Sequence, residues 1–332
     1  MYNKLGKSDP AIWEASEVPA KTPYLSARGW EQYRFALDYN RRHHPKSPFD
    51  EGEADRIDQD TLRLLHAHCC TQQDQHECPV LNSPLTDSEI LRHLKATSPD
   101  KSQWSDGISH RMLQAGGQHF QKSLCLLLMN MIWEFEIYPY DWSKALVQPI
   151  HKGDAKPRVD PASYRGIYLT CMTTKLFEDI LNERLTDFTT QHDTLTPYQF
   201  SSKKGHQTQD AIYAVLATIR NNQQFDKSPT YCAFIDFSTA YPSVHRNRLT
   251  NIHNDSKIPG KVWRLLTSTY HLLQVRVLHP LLGPDRFTPI LRGLLEGSRL
   301  SPTPFGIFMA ELLRTLQKEF PHACTYTSQV IS

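Results

Sequence analysis

Ala233-Phe234-Ile235-Asp236-Phe237-Ser238-Thr239-Ala240-Tyr241-Pro242-Ser243-Val244-His245 is the stretch on which the fold of this chain turns. Its first half, with Tyr231 and Cys232 before it, is short, apolar and rich in residues that favour extended backbone. Tyr231 to Phe237 therefore reads as a buried strand. An acid at the end of such a strand costs free energy unless something satisfies it, and a divalent metal ion is one such partner. A turn in which Asp236 caps the following helix is the other. The segment alone leaves both open.

On either side of this strand the chain mixes helices and extended runs. Thr86 and Glu89 form a capping box before Ile90, Leu91 and Leu94, so a helix begins there. Helical periodicity runs from His110 to Glu136, closed by Pro139, and Ala145 to Ile150 is extended. Two amphipathic helices follow, Thr173 to Phe188 and Gln209 to Asn221. Beyond the central strand, Val275 to His279 and Phe287 to Leu291 flank a Pro/Gly loop and read as a hairpin. Ser301 to Glu319 reads as a long helix, with Ser301 as cap and Pro302 at its first position. Strands and helices mix without regular alternation, so the expected class is α+β.

The 332 residues, 39% hydrophobic and 22% charged, can bury a sizeable core in one large domain or two smaller ones. A net charge of +2 is too mild to mark the whole surface for nucleic acid. Residues 241 to 300 are locally basic, however: Arg246, Arg248, Lys257, Lys261, Arg264, Arg276, Arg286, Arg292 and Arg299 stand against Asp255, Asp285 and Glu296. The longest apolar run, Leu124 to Trp133, is far shorter than the roughly 20 residues of a membrane helix, and reads as a buried helix. The N-terminus lacks a signal peptide's apolar core. Seven unevenly spaced cysteines do not suggest a secreted disulfide scaffold, so an intracellular, reducing compartment is expected. His66, His68, Cys69, Cys70, His76 and Cys78 include zinc-favouring ligand types, yet their spacing matches no standard finger and adjacent cysteines suit one tetrahedral site poorly. Residues 1–83 are polar and broken by prolines, with helices expected at Trp30 to Tyr39 and Asp58 to His68.

Taken with its neighbours, the opening stretch resembles the reverse transcriptase family, in the branch formed by non-long-terminal-repeat (LINE-type) retrotransposons. The resemblance runs from about residue 84 to 326 in ordered blocks. Phe234 to His245 matches the family's first palm motif. That implies Asp236 as a catalytic ligand of Mg2+ and Tyr241 as the aromatic gate beneath the incoming sugar, where a ring leaves no room for a 2′-hydroxyl. Leu146 to Asp154, Ser163 to Leu169 and Lys175-Leu176-Phe177-Glu178 resemble fingers blocks. They imply Lys152 and Arg165 as a clamp on the nucleotide's triphosphate, the one a point charge and the other a planar fork. Lys101 with Asp106-Gly107-Ile108, and Gln199-Phe200 with Lys203 to His206 and Thr208, match two further blocks. Arg292 to Phe305 resembles the second palm motif, in which Gly297 approaches the base pair.

Several positions depart from the family's pattern. Pro242 stands where many relatives have Asp, Ser102 to Ser105 replace small Pro- and Gly-rich residues, and Ser201 and Ser202 replace Gly and Phe. Glu296 stands in place of Gln, an acid that repels a phosphate backbone. Where the family has Tyr-x-Asp-Asp, this chain has Tyr326 with Ser328 and Gln329. Two-metal phosphoryl transfer needs several carboxylates, so Asp236 alone implies no appreciable polymerisation.

The implied organisation is an N-terminal extension (1–83), a fingers-like region (84–230) and a partial palm (231–332) that stops before the rest of the palm and the thumb. The implied partners are an RNA template, a DNA primer and deoxynucleotides, without a membrane; the family's chromosomal targets point to the nucleus. Two other readings stand beside polymerase ancestry: a non-catalytic nucleic-acid-binding remnant using the basic stretch, and an unstable relic whose unpaired palm strand favours aggregation.

Overall fold

The computed structural model describes residues 78–98, 106–136, 138–153, 155–227, 229–237, 239–258, 260–278, 287–290 and 292–321. The helices expected at Trp30 to Tyr39 and Asp58 to His68, most of the His/Cys group, Lys101 to Ser105, the 279–286 loop and Tyr326 to Gln329 lie outside them. In chain order the elements are α1 (Pro79–Asn82), α2 (Asp87–Ala96), α3 (His110–Ala115), α4 (Gly117–Leu126), β1 (Lys144–His151), β2 (Tyr164–Leu169), α5 (Met172–Gln191), α6 (Thr208–Asn221), α7 (Ala240–Ser243), α8 (Arg246–Asp255), α9 (Gly260–His271), β3 (Gln274–Val277), β4 (Thr288–Pro289) and α10 (Pro302–Glu319). The class is α+β, as expected. Among the described residues no helix is long and apolar enough to cross a membrane.

Thr86 caps α2 by accepting from the Glu89 backbone N–H at 3.2 Å. Glu89 does not close the box in return, because its carboxylate grips Arg184 of α5 with two bonds of 2.8 and 2.7 Å. The same guanidinium donates to the carbonyls of Leu81, Ser83 and Pro84 and lies 4.7 Å from the Trp133 ring centroid. One side chain thus holds α1, α2 and the helix end at Trp133 against α5. The helical stretch from His110 breaks at Gly117, whose φ of +74° ends α3's course. After α4 the backbone widens into π-helical turns over Leu127–Glu134.

α5 runs through the main core. Its Leu176, Phe177, Ile180, Leu181, Leu185 and Phe188 are buried in one core cluster with Leu81, Ile90, Leu94, Trp263 and Ile307. The Trp263 indole, itself fully buried, donates to the Thr250 carbonyl at 2.9 Å and fixes α9 on α8.

The sheet has the order β2-β1-β3-β4. β1 and β2 are antiparallel, with Ile150 opposite Arg165, while β1 and β3 are parallel, with Lys144 opposite Gln274. Pro149 lies past the last β3 pairing, so its missing N–H removes no central ladder bond. β3 and β4 pair antiparallel through Gln274 with Pro289 and Val275 with Thr288, as the expected hairpin requires.

Two expectations need correction. Tyr231 to Phe237 is not a buried strand: it pairs with none of the described strands, and Tyr231, Phe234 and Ile235 are 90, 88 and 76% exposed. An apolar, β-favouring run makes a strand only where a neighbour accepts its backbone bonds, and here none of the four described strands pairs with it. Ser301 does precede Pro302 at the start of α10, but its side chain makes no capping bond, because the residue already has helical φ and ψ.

Candidate functional site

The segment after Asp236 folds back as the single turn α7 and meets the chain again fifty residues on. The Leu294 N–H donates to the Tyr241 carbonyl at 2.9 Å, and the Gly293 N–H to the Val244 carbonyl at 2.8 Å. The approach is close enough that a Cβ on Gly293 would sit 2.7 Å from the Pro242 carbonyl oxygen, and its φ of +85° suits glycine. Arg246, 3% exposed, donates to the carbonyls of Gly293, Tyr270 and Ile290. Tyr241 lies stacked on Phe305 of α10, ring centroids 4.8 Å apart and planes 29° from parallel. Residues 240–246 and 292–305 are therefore one packed unit.

The next link is to the sheet. The Tyr168 N–H donates to the Glu296 carbonyl at 2.9 Å, and Gly297, with φ of +95°, rests against Tyr168 and Ile167 of β2. Arg165 is exposed on the same strand. Across the β1–β2 turn, Lys152 is pinned at both ends: its N–H to the Ser163 carbonyl at 2.8 Å and its Nζ to the Ala162 carbonyl at 2.8 Å. Tyr241 and Gly297 are thus joined through residues 292–305, and Gly297 is joined to the strand bearing Arg165. Asp236 stands apart on its exposed segment.

Three anchoring residues carried no role in the sequence reading. Gln199, fully buried, accepts from the Thr196 N–H and donates to the Gly306 carbonyl, each at 2.8 Å, fastening the 196–202 loop to α10. On α5, Asp179 pairs with Arg299, and Glu178 accepts from the Ser298 hydroxyl and the Arg299 backbone N–H. The available signal was position: Glu178 falls on the same helix face as Thr174, Leu181 and Leu185, all buried, where a carboxylate must have partners.

The basic 241–300 stretch is largely engaged within the protein. Arg246 holds carbonyls, Arg248 pairs with Glu311, Lys261 with Glu134, Arg264 with Glu136 and Arg299 with Asp179. Five of its nine cations are thereby turned from solvent phosphate toward the protein's own groups. Cys78, the described member of the His/Cys group, is a buried free thiol. Among the described residues no three His, Cys, Asp or Glu side chains gather as a metal site.

A sequence profile of the family described as "Reverse transcriptase (RNA-dependent DNA polymerase)" matches residues 150–330, more than half of the chain. The chain is 29% identical over 264 residues to a Drosophila melanogaster protein named "Probable RNA-directed DNA polymerase from transposon BS", covering 73% of this chain and 27% of that protein. It is 25% identical over 249 residues to "Probable RNA-directed DNA polymerase from transposon X-element" of the same fly, covering 73% and 26%. To "RNA-directed DNA polymerase from mobile element jockey" it is 23% identical over 189 residues, covering 56% and 20%. The chain thus spans about a quarter of the length of these relatives.

Proposed function

Since the chain belongs to the reverse transcriptase family, we propose that its described residues form the nucleotide-holding part of an RNA-directed DNA polymerase of a LINE-type retrotransposon, impaired in catalysis. In this reading residues 84–230 are fingers and the chain from 231 is palm. The observation that carries it is the joined unit of Tyr241, Gly293-Leu294 and Gly297 set against β2. An aromatic ring backed by Phe305 cannot retreat, which is what a gate against a 2′-hydroxyl requires. Lys152 and Arg165, at the end of the same sheet, supply positive charge for a triphosphate. Gly297 offers backbone without a side chain where a base pair must come close.

The reading implies Mg2+, but the donor set does not fit a two-ion centre: Asp236 has no gathered carboxylates around it among the described residues. Position 296 adds an acid where template passes. The chain therefore binds deoxynucleotide and primer–template without joining them. RNA template, DNA primer and deoxynucleotides are the proposed partners.

Titration with a fluorescent deoxynucleoside triphosphate in the presence of Mg2+, paired with primer extension on an RNA template, tests this. The expected result is saturable binding, weakened about tenfold or more in both Lys152→Ala and Arg165→Ala by loss of a charge-assisted bond, with extension at the no-enzyme level. Binding that ignores both substitutions sinks the nucleotide site. Extension above the blank that disappears in Asp236→Ala sinks the impairment.

A further inference from the structure

The loop that carries Gly297 is held from beneath by a buried acid. Glu178 is 3% exposed, and while the Ser298 hydroxyl and the Arg299 N–H donate to its carboxyl, Oε2 has no partner among the described residues. Beside it lies a cavity of about 10 Å3 whose lining includes Glu178, Tyr270 and Ser301. The Tyr270 hydroxyl and Ser301 Oγ, on residues 5% and 2% exposed, also lack partners among the described residues. A buried polar atom without a partner destabilises a fold, and these three all belong to residues that line one small cavity.

The three atoms are chemically complementary to a single molecule. A buried water makes about three hydrogen bonds and needs room of about 10–15 Å3. It can donate to the Glu178 carboxyl oxygen and to Ser301 Oγ while accepting from the Tyr270 O–H. An anion is excluded by the carboxyl, and a metal cation is disfavoured by Lys175, whose charge acts on Glu178 from the same helix, and by Arg299 across from it. We propose that this cavity is a site for one bound water that bridges Glu178, Tyr270 and Ser301, and that Glu178 is thereby the positioning residue that joins α5 to α9 and to the 296–301 loop. The joint does not depend on the polymerase reading, because it is a property of the fold.

The carboxyl in this joint changes charge in an accessible range. Burial pushes Glu178 up from 4.5 to about 7. Lys175 and Asp179 of α5 act on it through their charges, and the Ser298 hydroxyl and the Arg299 backbone N–H through hydrogen bonds; its own charge is felt by Tyr138 and by Tyr270 of α9. A folded carboxyl that binds its proton more tightly than the unfolded one stabilises the protein at low pH. That stabilisation is lost as pH rises from 4.5 through 7.

The test is a double-mutant cycle on the whole chain, with Glu178→Gln, Tyr270→Phe and the pair unfolded in urea at pH 5 and pH 8. The two side chains should couple through the water, so that the pair's effect on the unfolding constant departs at least threefold from the product of the singles. Relative to the parent, Glu178→Gln should gain stability between pH 5 and pH 8, with Asp179 present in both proteins. Independent effects at both pH values overturn the bridge. Ser301→Val replaces the hydroxyl with a methyl group and adds a second methyl, filling the cavity. It should lower stability by expelling the water, and a rise instead means that the cavity is dry. A crystal structure showing one water within hydrogen-bond reach of all three atoms supports the site, and featureless density there overturns it.

Discussion

Replacing Gly293 by alanine puts a methyl group where the structure has the Pro242 backbone. The new Cβ would lie 2.7 Å from a carbonyl oxygen and 2.8 Å from a Cα, neither of which can swing aside as a side-chain tip can. A non-glycine residue at φ of +85° costs about 1–2 kcal/mol by itself. Separating the two strands of chain enough to admit the methyl also loses the bonds from Gly293 to Val244 and from Leu294 to Tyr241, at about 1 kcal/mol each. The expected total is roughly 3–4 kcal/mol by adding these contributions. Gly107→Ala is the control, since Gly107 has a comparable φ of +69° but nothing within 4 Å of the added Cβ. It should cost only about 1–2 kcal/mol. Urea unfolding monitored by tryptophan fluorescence gives both values, and triphosphate titration shows whether Tyr241 has lost its backing. Equal costs for the two substitutions would refute the close approach of residues 242 and 293.

Arg184→Met leaves Glu89 and three carbonyls without their donor while keeping most of the side-chain volume, and should cost about 3–5 kcal/mol in the same unfolding measurement. A loss under about 1 kcal/mol would mean that the guanidinium is better solvated than its 8% exposure implies. Gln199→Leu strands the Thr196 N–H, at about 1–3 kcal/mol, and takes from the Gly306 carbonyl the second donor it has beside its helical bond in α10. Hydrogen exchange should show the 196–202 loop and the middle of α10 opening together, and unchanged protection there counts against the fastening. Arg92, with His93, holds the Glu183 carboxyl down at about 2 against an ordinary 4.5. Its stabilisation is full above pH 4.5 and is lost as pH falls toward 2; both partners are well exposed, so the effect is modest. Arg92→Ala should flatten the acid limb of the stability profile, and an unaltered limb would show that the pair contributes nothing.

Where a segment's structure is decided by its own residues, the sequence was readable. The capped start of α2, the amphipathic face of α5, the β3–β4 pairing and Pro302 at the head of α10 all follow from local pattern. The failures share one cause, which is that distant partners outweighed local preference. Glu89 abandons its capping box for Arg184, ninety-five residues away. Tyr231 to Phe237 has strand-favouring residues but no strand beside it among those described. The basic 241–300 stretch looked like a surface for phosphates because sequence shows charges and not their counter-charges at Glu134, Glu136, Asp179 and Glu311. At the candidate site, the family resemblance picked out Tyr241 and Gly297, which the fold links through residues 292–305. The roles of Glu178 and Gln199 stayed hidden, since a buried polar side chain declares itself only through what it touches.

The parallel pairing of β1 with β3 has a further consequence, in time. Lys144 finds its partner Gln274 only 130 residues later, so a ribosome must finish α9 before the middle of the sheet can close. The equilibrium toll of that separation is slight, about 0.6 kcal/mol for each doubling of the loop. The kinetic toll is larger, because long-range strand pairing is slow. Throughout that interval the nascent chain presents the β1–β2 hairpin with the β1 edge open, and another copy's hairpin can occupy it first. Crowded synthesis at high temperature should therefore harm the yield of this protein more than its finished stability would suggest.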